Sequence, residues 1–163
     1  MERRALLTGI GTAAVAALAG CASSADPGDD GDDTPTDTPT DTPDPEPRMT
    51  DTTFTVTDVS SGTQRDEASV AFGGDTVTVE GTIWGANGCK TGRLLGAEYD
   101  AAADELTVTV GTKDREDAGD GCTQAIVEIR YRATATFEGG LPGTVVVTHD
   151  HGDGGKDVTT ATQ

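Results

Sequence analysis

The stretch Ala125–Glu138, AIVEIRYRATATFE, decides the fold. Ala125, Val127, Ile129, Tyr131, Ala133, Ala135 and Phe137 fall on one side of a two-residue repeat, with Glu128, Arg130, Arg132, Thr134, Thr136 and Glu138 on the other. A period of two sends successive side chains to opposite faces of an extended chain, so the segment reads as a long strand with one dry and one wet face, as in an antiparallel sheet.

The same alternation continues upstream. Phe54 and Val56 alternate with threonines, Val70 and Phe72 follow, and Val77, Val79, Gly81 and Ile83 oppose Thr76, Thr78, Glu80 and Thr82. Leu95, Ala97 and Tyr99 are expected on one face of a fourth strand, and Leu106, Val108 and Val110 on one face of a fifth, with a turn over Ala101–Glu105. Downstream, Gly139-Gly140-Leu141-Pro142-Gly143 supplies a turn before Val145 and Val147. No stretch shows a helical stripe. Seven strands with turn signals roughly every ten residues predict an all-β domain over residues 51–163, a seven-stranded antiparallel immunoglobulin-like sandwich, with a small β-barrel as the alternative. Asp150, Asp153 and Asp157 mark an acidic C-terminal tail.

The first third of the chain is different in kind. Residues 1–21, MERRALLTGIGTAAVAALAGC, place Arg3 and Arg4 ahead of an uncharged stretch from Ala5 to Ala19, the layout of a signal peptide. Fifteen helical residues would span roughly 22 Å, short of the ~30 Å hydrocarbon core of a bilayer. Paired arginines before a weakly apolar segment resemble a twin-arginine export signal, and Leu18-Ala19-Gly20-Cys21 resembles a lipobox. Residues 1–20 are therefore expected to be removed and Cys21 lipidated.

Residues 21–50 then form the lipidated N-terminus and a tether, rich in Asp, Thr and Pro, with Pro35, Pro39 and Pro43 at every fourth position. Met49 is its only large apolar residue, so it cannot bury enough surface to offset its ordering entropy and is expected to be a disordered, extended stalk.

With Cys21 set aside, Cys89 and Cys122 form an even pair, and exported thiols usually bond. Closing a loop of this length is worth on the order of 3.5 kcal/mol by chain entropy.

The 29 Asp and Glu against 11 Lys and Arg give a formal charge of −18, which argues against nucleic acid and anionic lipid headgroups as partners. Lysine occurs only at Lys90, Lys113 and Lys156. An acidic surface almost without lysine over a core of small residues suits concentrated salt, where self-repulsion is screened. Together, the twin arginines, the Leu-Ala-Gly-Cys lipobox, the Asp/Thr/Pro tether and the acidic domain resemble the small twin-arginine-exported lipoproteins of salt-loving archaea. That resemblance implies an address, the outer face of the cell membrane, and a salt regime. It implies no chemistry.

The residues themselves offer no catalytic constellation. A blue-copper site needs two histidines, a cysteine and usually a methionine. The only histidines are His149 and His151, and Met1 and Met49 lie outside the domain, which argues against such a site. In Thr148-His149-Asp150-His151-Gly152-Asp153, two imidazoles at strand spacing with Asp150 and Asp153 beside them are the candidate metal ligands. Asp114, Glu116, Asp117 and Asp120 form an acidic loop with glycine interruptions but without the spacing of an EF-hand. Ser60, Ser61 and Ser69 lie in no nucleophile elbow.

Trp84, Asn87 and Lys90 form a candidate ligand loop, the alternative for Trp84 being core packing against the disulfide. The expectation is a non-enzymatic binding or envelope-associated domain that needs no cofactor and takes an envelope protein or glycan as partner. The alternative is a metal-dependent enzyme or metal carrier, with calcium or a transition metal on the acidic and histidine patches.

Overall fold

A computed structural model describes residues 45–119 and 121–163. The export signal with Arg3 and Arg4, the lipobox with Cys21, nearly all of the tether and Asp120 lie outside the described residues. Among the described residues there are eight strands: β1 (Arg48–Ser61), β2 (Glu67–Gly73), β3 (Thr76–Gly85), β4 (Lys90–Asp100), β5 (Glu105–Asp114), β6 (Val127–Glu138), β7 (Thr144–Asp150) and β8 (Gly155–Thr162). They form two four-stranded sheets, ordered β1-β6-β3-β2 and β4-β5-β7-β8. The two-sheet sandwich expected from the alternation is present.

The long strand behaves as its sequence demands. β6 pairs antiparallel with β1 on one side and β3 on the other. Its inward residues Val127, Ile129, Tyr131, Ala133, Ala135 and Phe137 are all buried. They pack with Val77, Val79 and Ile83 of β3 and face Leu106, Val108 and Val110 of β5 and Val145 and Val147 of β7. Burial of such β-branched and aromatic side chains supplies most of the driving force, each full side chain contributing about 1.5–3 kcal/mol. Ala125 lies ahead of the strand and is exposed.

Three local features depart from the reading of the sequence. In β4, a register shift between Leu94 and Gly96 makes Leu95 the extra residue. This breaks the expected alternation at one point: Leu94 joins Tyr99 against the core in place of Leu95, which is 41 % exposed. β8 is an eighth strand within the segment expected to be an acidic tail. Its only large apolar side chain is Val158, so an edge strand there carries little hydrophobic signal. β5 and β7 run parallel, because the chain crosses to the other sheet as β6 before returning, the long connection that parallel neighbours require.

The edges are guarded. β1 carries register shifts at Met49/Asp51 and Val56/Asp58, the β7–β8 pair has one at Val147/Thr148, and β2 is only seven residues long. Bulges and short strands blunt edge-to-edge association.

Cys89 and Cys122 are disulfide-bonded, with Cα atoms 5.4 Å apart. Around the bond Gly88 N donates to Thr123 O at 3.0 Å and Arg115 N to Cys89 O at 2.8 Å, so the β3–β4 and β5–β6 connections are fastened to each other. Reduction in molar salt should therefore lower the melting temperature by an amount equivalent to roughly 3–4 kcal/mol. Thiol titration of the native exported protein should find no free thiol from this pair, and two free thiols would refute the bond.

Candidate functional site

At the end of the sandwich where β3 and β7 finish and β6 begins, Asp66, in the β1–β2 connection, collects three ring N–H groups. His149 Nδ1 lies 2.9 Å from Asp66 Oδ1, His151 Nε2 lies 3.0 Å from Oδ2, and the indole N–H of Trp84 donates to Oδ2 at 3.1 Å. Behind His149, its Nε2 lies 2.8 Å from the Tyr131 hydroxyl. The rings of Trp84 and His151 stack with centroids 4.5 Å apart.

The positions follow from strand parity. His149 continues the inward series Val145, Val147 on β7 and is 1 % exposed. Tyr131 belongs to the inward series of β6 and is 2 % exposed. Its hydroxyl fits because residue 81 is glycine: a Cβ there would lie 2.4 Å from the hydroxyl oxygen and 2.7 Å from the Glu67 carbonyl.

Hydrogen-bond chemistry fixes the protons. An ionised carboxylate only accepts, so His149 donates from Nδ1 and, as a neutral ring, accepts at Nε2 from the Tyr131 hydroxyl. Burial pushes the His149 pKa below its ordinary value, and this outweighs the opposing pull of Asp66. Burial, and then the Asp66 charge, push the Tyr131 hydroxyl pKa well above its ordinary value. Tyr131 and His149 are thus both neutral, and the tyrosine hydroxyl is engaged by the imidazole. The arrangement holds two sheets together and stores a titratable imidazole.

The two histidines singled out in the sequence are brought together, but on Asp66 and not on their neighbours. Asp150 Oδ1 accepts from Gly152 N at 2.7 Å, closing its own turn, and Asp153 is exposed. Among the described residues no group of three or more His, Cys, Asp or Glu side chains is arranged to hold a metal ion. Three acids of this stretch carry ion pairs: Asp114 with Lys90 of β4 at 2.9 Å, Glu116 with Lys113 of β5 at 3.6 Å and Asp117 with Arg115 at 3.9 Å.

The expected ligand loop divides. Asn87 Oδ1 accepts from Cys89 N at 3.0 Å and shapes the turn, Lys90 is engaged by Asp114, and Trp84 joins the Asp66 cluster half-buried. Asp66 and Tyr131 are the residues that sequence reasoning missed. The inward parity of His149 with Val145 and Val147 was the available signal, since a buried histidine requires partners.

Two expectations follow. Tyr131→Phe leaves His149 Nε2 buried without a donor and should cost about 1–3 kcal/mol in denaturant unfolding. His149 binds its proton more weakly when folded, so its contribution is full above the unfolded pKa of about 6.5 and is lost as pH falls through the lower folded value. The melting temperature should accordingly fall between about pH 8 and about pH 5, and His149→Gln should flatten that slope. An unchanged slope in the variant would assign the pH dependence to other groups.

The chain matches no known protein family, no curated protein and no solved structure.

Proposed function

We propose that this protein is an extracytoplasmic lipoprotein whose sandwich is a non-enzymatic binding domain, held to the outer membrane face through Cys21 and raised on the Asp/Thr/Pro tether. The support from sequence is the succession of Arg3-Arg4, the apolar stretch, Leu18-Ala19-Gly20-Cys21 and the polar tether.

The observation that carries the binding role is where the domain keeps its polar surface chemistry relative to where the chain joins it. The chain reaches the sandwich at Arg48, opposite Glu138, while Ser61, Val127 and Gly85 meet at the other end. Fourteen residues of β1 separate the two ends, roughly 45 Å at strand rise. The Trp84, His151 and Asp66 cluster stands at the far end, away from the point where the chain enters the sandwich. An envelope protein or a glycan is the partner class.

Location is the test. Cys21→Ala should release the protein into the medium or leave an uncut precursor in the membrane. Arg3→Lys combined with Arg4→Lys should block export. If neither change alters where the protein is found, the anchored reading is wrong.

A further inference from the structure

The outer face of the first sheet carries a cleft of about 470 Å³. That lies within the roughly 300–1,000 Å³ range of small-ligand sites. All four strands contribute to its lining: Thr57 from β1, Arg130 from β6, Glu80 and Thr82 from β3, and Glu67 and Ser69 from β2. Thr57 reaches it because of a bulge. It is the residue left over between Val56, opposite Tyr131, and Asp58, opposite Arg130. An extra residue of this kind re-aims a side chain.

Thr82 is only 6 % exposed, although it sits on the outer side of the sheet. Its hydroxyl makes no hydrogen bond among the described residues, and no side-chain nitrogen or oxygen there is sealed from solvent without a partner. The hydroxyl therefore opens into the cleft, an otherwise buried group with its hydrogen-bonding capacity unspent.

The charged groups around it are arranged to leave particular atoms free. Glu80 gives Oε1 to Arg132, whose Nε lies 2.9 Å away, and Glu67 gives Oε1 to Arg65 at 3.3 Å. Nearby Glu128 Oε1 accepts from Thr63 N at 3.0 Å and Thr63 Oγ1 at 2.9 Å. Those two contacts hold the Glu128 carboxyl pKa below its ordinary value. Arg130 forms no salt bridge among the described residues, with Asp58 and Thr82 opposite it in the ladder. The cleft thus presents guanidinium donors at one side, the second carboxylate oxygens of Glu67 and Glu80 at the other, and hydroxyls of Thr57, Ser69 and Thr82 between them.

Donors and acceptors of opposite charge set this close suit a ligand that carries no net charge and both gives and receives hydrogen bonds at adjacent atoms. Vicinal hydroxyls do both, and they lose less on leaving water than an ion does. We infer that this cleft binds a neutral hexose unit of a glycan, with Arg130, Glu67 and Glu80 reading the ring hydroxyls and Thr82 at the floor. This rests on the binding-domain reading above and names its ligand class.

The test is a proton–nitrogen NMR titration of the full chain in molar potassium chloride. The neutral probes are the methyl glycosides of glucose, mannose and galactose, and the charged probes are glucuronate and sulfate. At least one neutral probe should shift the Arg130 side-chain N–H and the Ser69 and Thr82 amides saturably in the millimolar range. Arg130→Gln and Thr82→Val should each weaken that binding at least tenfold, while Thr109→Val on the other sheet should leave it unchanged.

Saturation by the charged probes alone, saturation by no probe, or undiminished binding to both cleft variants would overturn the inference. The spectra themselves report whether each variant is folded. Lipid on Cys21 without any sugar response would sink the cleft assignment alone, whereas sugar binding by an unanchored protein would sink the anchoring and keep the cleft.

Discussion

The Asp66 carboxylate joins groups that belong to different layers of the sandwich. Apolar packing between two sheets is non-directional, and a core in which valine is the commonest side chain has few shapes that lock one sheet over the other. Directional bonds supply what that core lacks. Asp66 leads into β2 of the first sheet and accepts from His149 on β7 of the second, while Thr159 Oγ1 on β8 donates to Ala68 O on β2 at 2.6 Å. Because His149 and Tyr131 are buried, their hydrogen bonds lie in a medium of low dielectric, where making them matters more and losing them costs more than at the surface. The relative setting of the sheets at this end is therefore fixed by one chain of polar contacts, from Tyr131 through His149 to the solvent-facing rings of Trp84 and His151.

How much of this could be read from the sequence depends on the range of the interaction that sets each feature. The inward series of β6, β3 and β5 are local patterns, so the residues of the core were legible, as were the glycine-rich turn after Glu138 and the pairing of Cys89 with Cys122. Bulges were not legible. Leu95 sits in an unbroken alternation, and only the pairing with β5 shows that one residue there has no partner. β8 was missed because an edge strand needs little apolar content once β7 supplies its ladder. Asp66 is one acid among many in a loop without periodicity. Its role depends on His149, 83 residues away, and on the register that brings the two together. The cleft depends likewise on which residues face each other across four strands.

The abundance of charge has less to do with stability than its count implies. The ion pairs Arg48–Glu138, Arg65–Glu67, Lys113–Glu116 and Arg132–Glu80 are all well exposed. Such pairs contribute about 0–1 kcal/mol each and are weakened further by salt. Stability rests on the core, the disulfide and the Asp66 contacts, which salt does not screen away. The surface is thereby left free to carry a strongly acidic composition. Tyr99 shows how local that separation is: its ring packs edge-on against Phe137 in the core, while its hydroxyl bonds to Asp104 at 2.8 Å. Burial and the Asp104 hydrogen bond together raise its pKa to about 12.

The position of β1 bears on how the domain meets mechanical load. The chain joins at the N-terminal end of a 14-residue strand whose ladder to β6 runs from Arg48 to Ser61. Its hydrogen bonds lie across the strand direction. A pull at residue 48 against something held at the far end of the sandwich acts along β1, and so it loads those bonds in shear, many at once. Were the chain to join at the other end of β1, the same pull would peel them apart one after another. A pull entering at residue 48 therefore meets the longest ladder of the described residues in the direction in which it resists force best.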